Sequence, residues 1–214
     1  MKIRTQEELF DYLSDEIAWR KKELIDYKLI VENYKTGLLV KPLLRGGITI
    51  LYAHWEGFIK QASIAYLNYV AMKKLSYEQI AMNFVALSIK NKIGKTKESI
   101  SVEVCNEVVD ILMNKKSQTC DFPFKEIDTE FNLKSKVLKN IVLSLGLDFS
   151  HYLPLENFID KSLLAARNEV AHGDYKNLNY DDYVVLHNKV LSLLEYFKTQ
   201  IENAVVKKEY KNAF

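Results

Sequence analysis

The sequence predicts an all-α fold, a bundle of long antiparallel helices. Apolar residues recur at helical spacing along most of the chain. Seven glycines and three prolines among 214 residues are too few for the many tight turns of a β-sandwich or barrel. Hydrophobic residues make up 48% of the chain and charged residues 27%, a balance that allows a sizeable core.

Two long helices are predicted in the N-terminal third of the chain. Thr5-Gln6-Glu7-Glu8 is a capping box, and the helix that it opens should run to about Asn33. Gly37 ends this segment, and Pro42 starts the next, which we expect from Leu43 to about Lys73. The second helix has few polar positions, so we predict that it is the central and most buried one.

The middle of the chain is less regular. Ser76-Tyr77-Glu78-Gln79 is a second capping box and predicts a helix to about Asn91. A short helix is expected over Ser99–Lys115. We interpret residues 92–132 as a helical and loop insertion within one helical domain that spans residues 1–214.

Three further helices have clear end signals. They are expected over Leu133–Leu145, over Leu155–Ala171 and from Tyr180 to about Lys208. Gly146 and Gly173 each stand just after a helix, where a left-handed residue commonly ends it. Asn179 is placed to cap the last helix.

Composition excludes several classes of protein. A net charge of +2 means that any RNA contact must come from a local patch. No apolar run reaches the length of a membrane span, and acids occupy the N-terminal region where a signal peptide needs an apolar run, so we expect a cytoplasmic protein. Cys105 and Cys120 lack metal-ligand spacing and are expected to be reduced thiols. We predict no metal and no cofactor.

The segment that suggests chemistry runs from Arg167 to His172 (Arg-Asn-Glu-Val-Ala-His), just before Gly173. On an ideal helical wheel Asn168 and His172 share a face that points away from the core stripe. Arg167 lies on the flank, about 140° from His172. An alternative is that Arg167 and His172 only cap the end of the helix.

The outward face of this helix also carries Leu164, Ala165 and Ala171 around Asn168 and His172. Small apolar residues beside polar ones predict that a second helix packs there. The same helix of a second subunit would create a homodimer with two arginines and two histidines in one cleft. Such a cleft suits phosphoryl transfer, because histidine can accept a hydroxyl proton and a guanidinium can bind phosphate oxygens.

The segment resembles the signature of the HEPN superfamily: arginine, a polar residue, a short spacer and then histidine. The stretches Leu51–Lys60, which contains His-Trp-Glu-Gly, and Asn132–Lys136 are similar to its RiboL-PSP-HEPN branch. The resemblance implies a HEPN-type helical bundle, a dimer formed through the Arg167–His172 helix, and metal-independent RNA cleavage that leaves 2′,3′-cyclic phosphate and 5′-hydroxyl ends.

The same resemblance implies roles for single residues. Asn168 would orient the catalytic groups, Arg167 would stabilise the transition state, and His172 would be the general base or acid. Family members act in toxin–antitoxin modules, phage defence and RNA processing, so an antitoxin or another neighbouring-gene partner is an expectation. One toxin branch has a regulatory tyrosine two residues after the histidine, where this chain has Asp174.

Three further sets of residues are secondary candidates. His54 and Glu56 would line the cleft or hold the catalytic arginine, or else they are buried polar residues between helices. Tyr175 would stack on RNA bases, or it packs like most of the 13 tyrosines. A basic cluster could hold phosphates or simply be a solvated loop; its members are Lys90, Lys92, Lys95 and Lys97.

Two rival functions use the same residues. One is a non-catalytic HEPN protein that binds RNA, a nucleotide or a protein partner. The other is a plain helical dimerisation module.

Overall fold

The computed structural model describes residues 2–94, 101–125, 127–130, 132–174 and 178–212. Its α-helices are α1 (Gln6–Asn33), α2 (Val40–Met72), α3 (Met82–Gly94), α4 (Val102–Asn114), α5 (Ser135–Ser144), α6 (Ala165–Ala171) and α7 (Tyr180–Val206). A 3₁₀ helix (Ser150–Leu155) and a π-helix (Phe158–Leu164) precede α6. Within the described ranges, extended pairing is limited to two isolated bridges, so the all-α prediction is confirmed.

The first helix begins where the sequence predicts. The Thr5 hydroxyl accepts a hydrogen bond from the Glu8 backbone N–H, and the Glu8 carboxylate accepts one from the Thr5 N–H, each at 3.1 Å. This reciprocal pair satisfies donors that the first turn leaves without partners. One stripe of α1 is buried in the core and consists of Leu9, Leu13, Ile17, Leu24 and Val31.

Helix α2 is the centre of the molecule. It packs against α1, α6 and α7, and apolar residues along its length are fully buried. Among them are Leu51, Trp55, Phe58, Ile59, Ala62 and Tyr66. The prediction of a central, most buried helix is confirmed.

Two glycines near the start of α2 allow two tyrosine rings to approach its backbone. A Cβ atom on Gly46 would lie 2.5 Å from the Tyr27 hydroxyl oxygen, and one on Gly47 would lie 2.6 Å from the Tyr183 ring. The Tyr27 hydroxyl also donates to the Leu43 carbonyl at 2.9 Å. These contacts hold α1, α2 and α7 together at this end of the bundle.

The helix predicted to start at Ser76 begins instead at Met82. The backbone N–H groups of Tyr77 and Glu78 donate to the carbonyls of Gln118 and Lys116, each at 3.1 Å. Only half of the capping box forms: the Gln79 side chain accepts a hydrogen bond from the Ser76 N–H. The turn itself is closed by backbone hydrogen bonds to the Ser76 carbonyl. Pairing with a distant segment therefore overrides the local helix signal.

The C-terminal elements follow the predicted end signals, with one difference. Gly146 and Gly173 have φ values of +73° and +83°, and the Asn179 side chain caps α7. The segment before α6 is a π-helix rather than an α-helix. A π-helix has more residues per turn than an α-helix, so its side chains point in directions that differ from those on an ideal α-helical wheel. Leu164 is buried within its own protomer, and the prediction that it lies on the outward face is wrong.

None of the helices within the described ranges combines the length and apolar character needed to cross a membrane.

Replacing Gly47 with alanine should lower the free energy of unfolding by about 1–3 kcal/mol, because its Cβ would overlap the buried Tyr183 ring. Gly57→Ala is the matched control, since its Cβ would meet only the end of the Arg20 side chain at 3.0 Å. Urea denaturation measures both variants. Equal stability of the two variants would contradict the packing argument.

Candidate active site

The motif residues occupy the short helix α6 and its C-terminal end. Arg167 and Asn168 are half-buried, whereas His172 is exposed and caps the helix. The backbone N–H of His172 donates to the Asn168 carbonyl at 2.9 Å. Arg167 extends toward α2, where its guanidinium contacts Tyr52.

The Arg167 guanidinium lies against the ring of Tyr52 on α2. Its central carbon is 4.1 Å from the ring centroid, and its Nη2 atom donates to the Asn132 side-chain oxygen at 2.8 Å. A guanidinium over an aromatic face gains both electrostatic and stacking energy. These two contacts hold the charged group in one orientation.

The Tyr52 hydroxyl extends this network. It accepts a hydrogen bond from the Leu133 backbone N–H at 2.6 Å. Burial raises the pKa of Tyr52, and the nearby Glu56 carboxylate acts in the same direction, whereas Arg167 lowers it. Glu56 is half-buried and lies one turn along α2 on the same face as Tyr52. Glu56 therefore lies near the contact between Tyr52 and Arg167.

The segment Asn132–Ser135 is fastened to the motif region at both ends. Asn132 contacts Arg167, and Ser135 donates its backbone N–H and its hydroxyl to the two Asp160 carboxylate oxygens at 2.7 and 2.6 Å. Asp160 lies on the π-helix and so caps the start of α5. Helix α2 and the segment before α5 therefore meet at the arginine, and the π-helix holds the other end of that segment.

Arg45 is a basic residue of this region that the sequence reasoning missed. Its Nη1 atom donates to the carbonyl of Asp174 at 2.6 Å, which ties the start of α2 to the chain just after His172. Close packing of Gly46 and Gly47 against tyrosines fixes this part of α2. The sequence offers no local signal for the contact, because the two residues lie far apart along the chain.

His54 lies on a different face of α2. Its Nε2 atom is 3.0 Å from a Glu23 carboxylate oxygen, and its ring meets the edge of Trp19 at a centroid distance of 5.2 Å. Burial lowers the pKa of His54, although Glu23 opposes the shift. Its described contacts go to α1, which fits the packing alternative rather than a role at Arg167.

The remaining sequence candidates are Tyr175 and the basic cluster of four lysines. Tyr175, Lys95 and Lys97 lie outside the described residues. Lys92 forms an ion pair with Glu107. Lys90 lines a cavity that also contains Asp128 and Glu130, so the basic character expected there is offset by carboxylates.

Side chains of the types that bind metals do not cluster in the part of the chain that the structure describes. No group of three or more histidine, cysteine, aspartate or glutamate residues there is placed to hold a metal ion. Cys105 is exposed, and Cys120 is buried, which raises the pKa of its thiol to about 12. The side chains that α6 offers for chemistry are an oriented guanidinium, an amide and an exposed imidazole.

A family model described as HEPN_MAE_28990-like HEPN matches residues 9–210 of the chain. The matched range includes α6 and the network around Arg167. No curated protein and no solved structure matches the chain.

Tyr52→Phe should lower the free energy of unfolding by about 1–3 kcal/mol, because it leaves the buried Leu133 N–H without its acceptor. Tyr183→Phe is the matched control, since the buried Tyr183 hydroxyl has no hydrogen-bond partner among the described residues. Urea denaturation should find the control as stable as the parent protein. A Tyr52→Phe protein with unchanged stability would refute the assigned hydrogen bond.

Stability should fall as the pH is lowered from about 7 to about 5. Burial lowers the pKa of His54 and of His187 in the folded protein, so the unfolded chain takes up protons first. His54→Gln and His187→Gln should each flatten this dependence relative to the parent protein. The test is denaturant unfolding at several pH values, and an unaltered slope in both buried-site variants would count against it.

Proposed function

The chain belongs to the HEPN_MAE_28990-like HEPN family, and from that premise we propose that it is a metal-independent endoribonuclease. Its catalytic residues in this proposal are Arg167, Asn168 and His172. The observation that carries the proposal is the arrangement on α6: the guanidinium is held by Tyr52 and Asn132, while the imidazole is exposed at the helix end. The predicted HEPN superfamily is confirmed by the family match.

The proposed reaction is an internal phosphoryl transfer. The His172 imidazole takes the proton of a ribose 2′-hydroxyl, and the 2′-oxygen forms a bond to the adjacent phosphorus. The bond from phosphorus to the 5′-oxygen then breaks, and that oxygen takes up a proton. The products are a 2′,3′-cyclic phosphate and a 5′-hydroxyl. Arg167 offsets the negative charge that grows on the phosphate oxygens, and Asn168 orients the reacting groups.

A homodimer through α6 is part of the proposal. Within one protomer Arg167 contacts Tyr52 on α2, and His172 is exposed at the end of α6, where a second subunit can reach it. A two-fold axis along exposed Ala171 and half-buried Asn168 would bring the partner's His172 toward this cleft. Small side chains at Ala165 and Ala171 support the close approach of a second helix.

Further parts of the proposal concern biology. We propose a cytoplasmic toxin-like or phage-defence effector, restrained by an antitoxin or another neighbouring-gene partner. Asp174 stands where one toxin branch has its modified tyrosine, so restraint through that tyrosine is not expected. Tyr175 remains a proposed base-stacking residue, and Glu56 a proposed supporting residue near Tyr52.

One observation favours a second candidate function. The Arg167 guanidinium contacts the Tyr52 ring and the Asn132 side chain, and a residue that only stabilises the fold would make the same contacts. A non-catalytic HEPN module that binds RNA, a nucleotide or a protein would use the same helix without cleaving RNA.

End-labelled RNA incubated with the purified protein in EDTA should be cleaved to fragments with 2′,3′-cyclic phosphate ends, identified by mass spectrometry. His172→Ala should reduce the rate at least about 100-fold, the usual contribution of a positioned general base. Arg167→Lys should also reduce the rate strongly, because lysine keeps the charge and loses the planar donor geometry. Sizing in solution should give a dimer.

The control for this experiment is His151→Ala, which changes an exposed histidine outside α6 and should cleave at the parent rate. Thermal melting of each variant separates loss of chemistry from loss of fold. Full cleavage by His172→Ala, or cleavage that EDTA abolishes, would refute the proposed mechanism. Binding of RNA without cleavage by the parent protein would favour the second candidate function.

A further inference from the structure

A cavity of about 340 Å³ lies between the π-helix and the N-terminal half of α7. Its lining residues include Lys161 and Ser162 on one side and Asp182, Val185 and Lys189 on the other. We propose that this cavity binds the sugar–phosphate backbone of single-stranded RNA beside the cleavage site. This inference rests on the proposed function, and it adds a second contact region for the same substrate.

Two lysines against the single carboxylate of Asp182 leave the lining of this cavity with a net positive charge, which favours an anionic ligand. Lys161 and Lys189 are exposed, and neither has a carboxylate oxygen within 4.0 Å among the described residues. A comparison is the cavity that contains Lys21 and Lys198, where each lysine is paired with a glutamate. Two lysines without counterions on facing walls create a positive potential that RNA phosphates would neutralise.

One of these lysines is oriented by an aromatic ring. The Lys189 ammonium lies 4.9 Å from the centroid of Phe158, which also lines the cavity. A cation over a ring face keeps its position while its N–H groups stay available to a second partner. Val185 has 53% of its surface exposed and gives the cavity an apolar wall suited to a ribose or a base.

The element that forms one wall of the cavity continues into the motif helix. The π-helix leads directly into α6, and Lys161 precedes Asn168 by about two helical turns, roughly 10 Å along the axis. Lys161 and Ser162 stand before the start of α6, beyond the segment that the proposed dimer would cover. A strand that leaves the cleft near Asn168 therefore meets Lys161 and then Lys189.

The test measures RNA binding in the His172→Ala background, so that cleavage does not remove the ligand. Anisotropy of a short fluorescein-labelled oligoadenylate is followed over a range of salt concentrations. Lys161→Glu with Lys189→Glu should weaken binding at least tenfold at low salt. The slope of log affinity against log salt should become shallower by about 1.4, since each phosphate contact to a single strand contributes about 0.7.

The matched control reverses the charge of two exposed lysines outside the cavity, Lys116→Glu with Lys208→Glu. Its slope of log affinity against log salt should equal that of the protein with both cavity lysines intact. If charge reversal lowers the melting temperature, the double variant Lys161→Gln with Lys189→Gln is measured instead. It should also make the slope of log affinity against log salt shallower. An unchanged slope in the cavity variants, or equal loss in the control pair, would overturn the inference. Lysine-dependent binding by a parent protein that does not cleave RNA would support the cavity and refute the proposed cleavage.

Discussion

The contact between the Arg167 guanidinium and the Tyr52 ring is the interaction on which the candidate site depends. It joins α6 to the most buried helix, and the same guanidinium bonds to Asn132 while the Tyr52 hydroxyl receives the Leu133 N–H. One charged side chain thus connects segments that are distant along the chain. Because all these groups are partly or fully buried, each must find a polar partner, and this requirement selects one arrangement.

The π-helix before α6 has a comparable role in placing the motif. Its wider turns bury Leu164 and turn Asp160 toward the start of α5, where the carboxylate receives two hydrogen bonds from Ser135. π-Helical turns cost hydrogen-bond geometry and are frequent at functional sites. Here the π-helix lines the cavity beside α7, and α6, which follows it directly, carries Asn168 and ends at His172.

Local sequence signals predicted helix ends correctly wherever no distant segment competed for the same backbone hydrogen-bonding groups. The Thr5 capping box forms, and the glycines after α5 and α6 adopt positive φ as expected. The box at Ser76 fails, because the neighbouring N–H groups pair with the segment 116–118 instead. His54 and Tyr52 lie in one stretch of sequence, yet α2 turns His54 toward Glu23 and Tyr52 toward Arg167.

The sequence by itself determined the all-α class, most helix ends, the buried character of α2 and the resemblance to the HEPN superfamily, because these depend on residue spacing and on contacts within one turn. Only the tertiary structure decided that Tyr52 and Asn132 hold Arg167, that Arg45 reaches the chain after His172, and which of the lysines in the described ranges pair with carboxylates. Such contacts depend on how helices dock and rotate, and a single π-helical turn is enough to change which side chains face each other.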